Sequence, residues 1–246
     1  MPTPMITVTD LAMGWGDRVL QEGAAFEVAR GEIFAILGGS GCGKSTLLRH
    51  LIGLEPPRAG AICIDGKPHP ELEIGRPAFG VMFQSGALLS SLTVGENLAL
   101  VLARWTTLPP DAIAAIVRAK LRLVGLDGAA DKLPAELSGG MKKRAAIARA
   151  MALEPELLFL DEPSAGLDPV SAVELDQLIL TLNRVLGLTV VLVSHELASI
   201  FAIVSQCIVL DLPSRQIIAR GDPRALRDGS ADPRVDQFFN RKARAA

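Results

Sequence analysis

The sequence predicts an α/β protein built on a mostly parallel sheet. Three observations carry this. From Met141 onward, helix and strand patterns alternate, as βαβ units require. Strands such as Val190-Val191-Leu192-Val193 are apolar throughout, which suits a sheet covered on both faces. The apolar run Ile33 to Leu37 ends in glycines and opens a helix, as a buried strand feeding a ligand loop does.

Taken in order, Ile6-Thr7-Val8, Ala25 to Val28 and Ile33 to Leu37 read as strands. A helix runs from Ser45 to about Ile52, and Ala61 to Ile64 and Phe79 to Phe83 are further strands. The pattern then turns helical. Val94 to Arg104 and Asp111 to Val124 carry helical periodicity, with Pro109-Pro110 between them, so Gln84 to Glu136 reads as a helical insert. Helix Met141 to Leu153 leads to strand Leu157 to Leu160. Helix Val170 to Leu186 leads to strand Thr189 to Val193, and helix Glu196 to Val204 to strand Cys207 to Leu210. Asp222 to Ala246 forms two short helices joined through Gly229-Ser230.

With 246 residues, 49% hydrophobic and 21% charged, the chain has material for a packed core. It has no Tyr and 4% aromatic residues, so that core is aliphatic. The net charge of −2 gives no electrostatic footprint for nucleic acid, which is not expected as a partner. Cys42, Cys63 and Cys207 are odd in number and lack CxxC spacing, which argues against disulfides and a zinc site and for a reducing compartment. Met1 to Asp10 does not read as a signal peptide. The longest apolar runs fall far short of the roughly 20 residues of a spanning helix.

Gly38-Gly39-Ser40-Gly41-Cys42-Gly43-Lys44-Ser45 fits GxxxxGK[ST], followed by Thr46, between a strand and a helix. Glycines let main-chain N–H groups turn toward phosphates, and the helix start adds its dipole. Lys44 is expected to reach the β- and γ-phosphates, and Ser45 to bind Mg²⁺. Cys42 contributes mainly backbone, and its place at a helix start predicts a lowered thiol pKa and an alkylation that nucleotide blocks. The strand Leu157 to Leu160 ends in Asp161-Glu162, where ligands of open α/β sheets bind. Asp161 is placed for Mg²⁺, and Glu162 to orient or deprotonate water. Acids at a strand end ordinarily just enter solvent; beside a phosphate loop the functional reading prevails.

Ser138-Gly139-Gly140-Met141 opens another helix with a cap and two bare glycines, a second phosphate-binding device in a chain that already has one. By itself it is an ordinary cap; it has a purpose if it serves a nucleotide held by another copy. Asp168-Pro169 forms an N-cap and N1 pair. His195 follows a strand on the same sheet edge, where a γ-phosphate contact is expected. Gln84 stands where the insert begins, placed to sense Mg²⁺ or the water and relay that state. Trp15 suits core packing and adenine stacking equally well.

In this order, Trp15, the loop Gly38 to Ser45, Gln84, Leu137 to Met141, Asp161-Glu162, Asp168 and His195 resemble the ATP-binding cassette (ABC) ATPases over nearly the whole chain. The resemblance implies a P-loop core with a mostly parallel sheet, an N-terminal antiparallel β subdomain and an inserted α-helical subdomain. Within a single 1–246 domain, 1–84 and 141–221 then form the core, 85–140 the helical subdomain and 222–246 a helical extension. It also implies ATP and Mg²⁺ as cofactors, a head-to-tail pair in which Ser138 to Met141 meets the partner's ATP, adenine stacking by Trp15, a γ-phosphate contact by His195 and coupling of Gln84 to a polytopic permease. Two positions depart from the common pattern: Trp15 stands for the usual Tyr, and Met141, followed by Lys142-Lys143-Arg144, for the usual Gln. Met141, with Phe83 to Val94 and His195 to Ile203, is similar to the ATPases of MCE-associated, Mla-type phospholipid transporters. These imply work on the cytoplasmic face of the inner membrane, beside an MCE-domain protein. ATPases of amino-acid or metal importers, and soluble cassettes of iron–sulfur assembly, are the alternatives. A DNA-repair ATPase would need a coiled coil or zinc modules between Ser45 and Ser138, and neither pattern is there.

Overall fold

The computed structural model describes residues 4–16, 18–68 and 77–240. Ten strands and eight α-helices occur among them. The strands are β1 (Ile6–Trp15), β2 (Arg18–Val28), β3 (Ile33–Gly38), β4 (Ala59–Ile64), β5 (Lys67–Pro68), β6 (Phe79–Met82), β7 (Leu157–Asp161), β8 (Thr189–Val193), β9 (Gln206–Asp211) and β10 (Gln216–Gly221). The helices are α1 (Lys44–Leu51), α2 (Val94–Trp105), α3 (Pro110–Leu123), α4 (Gly139–Ala150), α5 (Pro169–Leu186), α6 (Leu197–Ile203), α7 (Pro223–Gly229) and α8 (Pro233–Asn240).

Two sheets organise the chain. Strands β2-β1-β4-β5 pair antiparallel, and the larger sheet has the order β10-β9-β3-β8-β7-β6. Within the larger sheet β9, β3, β8, β7 and β6 run parallel, and β10 pairs antiparallel with β9. Side chains alternate across a strand, and β3 shows what that does here. Ile33, Ala35 and Leu37 enter the core shared with α2 to α6, whereas Phe34 and Ile36 enter the core shared with α1 and the smaller sheet. Both faces are dry, so every residue of β3 and β8 is buried. The wholly apolar strands of the sequence are the physical requirement of this sandwich.

The helices start where capping chemistry allows. Thr93 and Glu96 form a reciprocal capping box on α2, and Asp168 accepts from Val170 and Ser171 N–H, both at 3.0 Å, ahead of Pro169 at the start of α5. Gly80 has one compelling role. A Cβ there would lie 2.1 Å from the Ala150 carbonyl oxygen, so only glycine lets β6 pass the end of α4.

Several boundaries differ from those the sequence suggests. The first two strands are much longer, because register shifts between Val8 and Gly14 break the alternation that would reveal β1. Strand β10 has no fully buried residue, and its apolar stretch is only Ile217-Ile218-Ala219, too short to stand out in the sequence. Helix α4 begins at Gly139, taking both glycines into its first turn. The two short helices expected after Asp222 are α7 and α8; Arg241 to Ala246 lie outside the described residues.

Candidate functional site

Three connected features meet at the C-terminal edge of the larger sheet, and a fourth lies apart from them. The first is the loop from β3 to α1. Gly38 has φ 141°, and a Cβ on it would lie 2.4 Å from the Leu210 carbonyl oxygen at the end of β9. The loop is therefore seated on the neighbouring strand end, not suspended in solvent. Gly43 has φ 102° and turns the chain into α1, whose start carries no side-chain cap, as suits a helix end that receives an anion. Lys44 Nζ donates to the Gly38 and Gly39 carbonyls, both at 3.0 Å, so its ammonium lies over the loop.

A cavity of about 410 Å³ opens beside this loop. Ser40, Gly41, Gly43, Lys44, Ser45 and Thr46 are among its lining residues, as are Trp15, Gln84 and Glu162. Trp15 is 44% exposed, so its role is not core packing. Its ring carries the Arg49 guanidinium 5.3 Å from its centroid. Arg18 lines the same cavity, although no motif marks it in the sequence.

The second feature is the end of β7. Ser45 Oγ donates to Asp161 Oδ1 at 3.4 Å, bringing the loop and the carboxylate together. Burial, then the adjacent Glu162 charge, raises the Asp161 pKa above the usual carboxylate value. Glu162 is only 8% exposed and adopts φ 48°, a left-handed conformation that costs a side-chain-bearing residue about 1–3 kcal/mol. Its N–H donates to the Val193 carbonyl at 2.9 Å, and its Oε1 pairs with His195 Nδ1 at 2.8 Å. Its Oε2 is buried without a hydrogen-bond partner among the described residues. A strained, buried carboxylate with an open acceptor beside a phosphate loop is suited to handle a water's proton.

The third feature is Gln84, exposed at the mouth of the cavity, with its main chain held from α4: Lys143 Nζ donates to its carbonyl at 2.7 Å. Lys143 was invisible as a site residue in the sequence, where it is one of three consecutive cations. The segment that follows Gln84 is also braced by buried Asn97, whose amide donates to the Leu89, Leu92 and Thr93 carbonyls and whose Oδ1 accepts from Leu89 N–H.

The fourth feature lies apart. Ser138 caps α4 by accepting from Met141 N–H at 3.3 Å. Ser138, Gly140 and Met141 line a separate cavity of about 250 Å³, with Ser171 on its far wall. The two cavities share no lining residue. Within one chain, then, Ser138 to Met141 is not brought to Lys44. Asp168 caps α5 next to this stretch, and its carboxyl is held below the usual range chiefly by the Ser171 hydroxyl.

One expectation is overturned. Cys42 is 1% exposed, and burial pushes its thiol pKa up, outweighing the opposing pull of Lys44. A helix start lowers a thiol pKa only where the thiolate is solvated. Cys42 belongs to the core beneath the loop, not to its reactive face.

A glycine loop between strand and helix, with a carboxylate-tipped strand two places along the same sheet, places the chain among the P-loop nucleotide-hydrolysing proteins. The ABC transporter family matches residues 22–165, and this chain belongs to that family. It is therefore an ATP-binding, ATP-hydrolysing protein. It is 40% identical over 241 residues to the intermembrane phospholipid transport system ATP-binding protein MlaF of Escherichia coli K12, covering 96% of this chain and 88% of that protein. The solved structure of cbiO1 from Clostridium perfringens, part of the ABC transporter complex cbiONQ, superposes with a TM-score of 0.81 at 31% identity, covering 97% and 95% of the two chains. A dimeric ATP-binding cassette in a post-hydrolysis state, bound to ADP and Pi, superposes with a TM-score of 0.78 at 27% identity over 89% and 98%. No helix among the described residues is long and apolar enough to cross a membrane.

Proposed function

We propose that this chain is the ATP-hydrolysing subunit of an inner-membrane ABC transporter that moves phospholipids between the inner and outer membranes. The observation that carries this reading is 40% identity over 96% of the chain to an ATP-binding protein of an intermembrane phospholipid transport system. In this reading the protein sits on the cytoplasmic face, bound to a polytopic permease that works with an MCE-domain protein. Residues 1–84 and 141–221 are the core with its β subdomain, 85–140 the helical subdomain that meets the permease, and 222–246 an extension.

Two copies pair head to tail. The separation of Ser138 to Met141 from the Lys44 cavity supports this, because a free helix start with bare glycines then has an anion to meet, the ATP of the second copy. Trp15 stacks on the adenine. Main-chain N–H groups from Gly38 to Thr46 cradle the phosphates, and Lys44 leaves the Gly38 and Gly39 carbonyls for the terminal phosphates. Asp168 holds the start of α5 against the Ser138 stretch. The Ser45 hydroxyl and Asp161 carboxylate, 3.4 Å apart, are hard oxygen donors of the kind Mg²⁺ takes alongside phosphates, and Gln84 lines the same cavity. Bound there, Mg²⁺ supplies neutralisation of phosphate charge. Glu162 accepts the proton of the attacking water, and His195 holds its other oxygen and contacts the γ-phosphate. Gln84 and the segment after it pass the state of the site to the permease.

Affinity purification from membranes, followed by identification of partners and bound lipid, tests this. The expected partners are a polytopic membrane protein and an MCE-domain protein with phospholipid. A membrane partner without any MCE-domain protein would contradict it.

A further inference from the structure

Lys143 is 8% exposed, in α4, five residues beyond the Ser138 cap. A buried ammonium is costly unless its hydrogens are matched. Here Nζ donates to the Gln84 carbonyl at 2.7 Å and to the Glu162 carbonyl at 3.1 Å. Both acceptors are main-chain oxygens. The bonds therefore fix two stretches of backbone without engaging the side chains of Gln84 and Glu162, and the Glu162 Oε2 stays open. One atom thus joins three elements: α4, the end of β6 and the end of β7. A second cation of α4, Arg149, donates to the Gly86 and Ala87 carbonyls and holds the same segment two turns further on.

Glu162 is where this matters most. Its left-handed backbone persists only under restraint from its surroundings. On one side the restraint is its N–H bond to the Val193 carbonyl; on the other its own carbonyl accepts from Ala165 N–H at 3.2 Å, within the same loop, and from Lys143 at 3.1 Å, the one of the two that reaches from α4. Burial works against the charge of Lys143, and the carboxylates of Glu162 and Asp161 draw it back. The lysine thus counters the acidic pair from behind without occupying the face that a nucleotide meets.

We propose that Lys143 is a positioning residue of the ATPase, fixing the main chains of Gln84 and Glu162 to the helix that begins at Ser138. The alignment of the general base then depends on the place of α4 as well as on its own loop and strand. In a head-to-tail pair this links the nucleotide met at Ser138, which belongs to the second copy, to the chain's own base at Glu162. The inference rests on the reading of Glu162 as the base, and the test separates the two.

Lys143→Met, Lys143→Arg and Glu162→Gln are compared with the wild type in the full chain. The readouts are steady-state ATP hydrolysis, binding of a fluorescent ATP analogue and thermal unfolding. Loss of two charge-assisted bonds at the base predicts that Lys143→Met lowers kcat about 10-fold or more while KM for ATP stays within about 2-fold. Lys143→Arg, which keeps the charge and the donors, recovers most of that loss. Should Lys143→Met not fold, Lys143→Gln, too short to span both carbonyls, carries the same expectation. A lysine that merely supports the fold would change unfolding and leave kcat of the folded protein alone. Wild-type-like kcat in Lys143→Met, a loss of nucleotide binding parallel to the loss of turnover, or no recovery in Lys143→Arg overturns the proposal while a dead Glu162→Gln leaves the ATPase reading standing. Near-normal turnover in Glu162→Gln removes the base itself, and the role of Lys143 with it.

Discussion

Replacing Gln21 by Met probes how the phosphate loop is held from behind. Gln21 is fully buried in β2, and its amide nitrogen donates to the Cys42 carbonyl in the loop and to the Asp211 carbonyl at the end of β9, both at 3.1 Å. Met keeps much of the volume and removes both bonds. Each carbonyl left without its partner costs about 1–3 kcal/mol. Against this, Gln21 Oε1 is itself buried without a partner among the described residues, and removing it recovers about 1–3 kcal/mol. The balance is a net destabilisation of about 1–3 kcal/mol, or roughly 3–10 °C in Tm for a chain of this size. Because the loop loses an anchor, KM for ATP should rise severalfold. Glu162 and its partners are untouched, so kcat should stay near wild type. Thermal unfolding of the nucleotide-free protein and an ATP titration of hydrolysis measure the two effects. An unchanged Tm together with an unchanged KM would refute the idea that Gln21 braces the loop.

Glu162→Gln keeps an acceptor for His195 and should preserve the fold and ATP binding while hydrolysis falls roughly 10²–10⁴-fold, the scale of a general base; a binding assay beside a turnover assay checks both halves. Cys42 should react with iodoacetamide only slowly at neutral pH with or without ATP, because its raised thiol pKa and burial leave little exposed thiolate; fast, ATP-protected labelling would place it on the reactive face instead. Asp161 has a raised pKa in the folded protein, so the native state binds its proton more tightly than the unfolded chain. The cost of ionising it is absent below the ordinary value of 3.8 and grows as pH rises through the folded value. Asp161→Asn should therefore stabilise the nucleotide-free protein at neutral pH, with a gain that fades toward pH 3.8, and abolish hydrolysis; denaturant unfolding across that range measures the trend.

The parts of this molecule legible from sequence are those with a local code. The apolar run Ile33 to Leu37 followed by Gly38 to Ser45 needs no tertiary knowledge to be read as strand, loop and helix. Asp161-Glu162 at the tip of an apolar strand, Ser138 and Asp168 as caps, and Pro169 at a helix start are equally local. What escaped depends on contacts between distant segments. Lys143, Gln21 and Asn97 are buried polar residues whose partners are main-chain carbonyls, and a carbonyl has no sequence identity to match. Strand β10 escaped because it pairs at an edge and its Ile217, Ile218 and Ala219 are only half-buried, too short an apolar stretch to read as a strand. Cys42 misled because its place at a helix start is a sequence fact, while its desolvation by Leu210 and the underlying core is a tertiary one.

Mixing two inactive variants tests the shared-site account most directly. Ser138→Arg blocks the helix start that serves the second copy, and Lys44→Ala removes the phosphate-loop ammonium. Each alone should abolish hydrolysis. In a heterodimer, the loop of the Ser138→Arg chain faces the intact helix start of the Lys44→Ala chain, so one of two sites is whole. Random pairing of an equal mixture should then restore roughly a quarter of wild-type ATPase activity. A mixture as inactive as its components, with heterodimers verified to form, would contradict a site built from two copies.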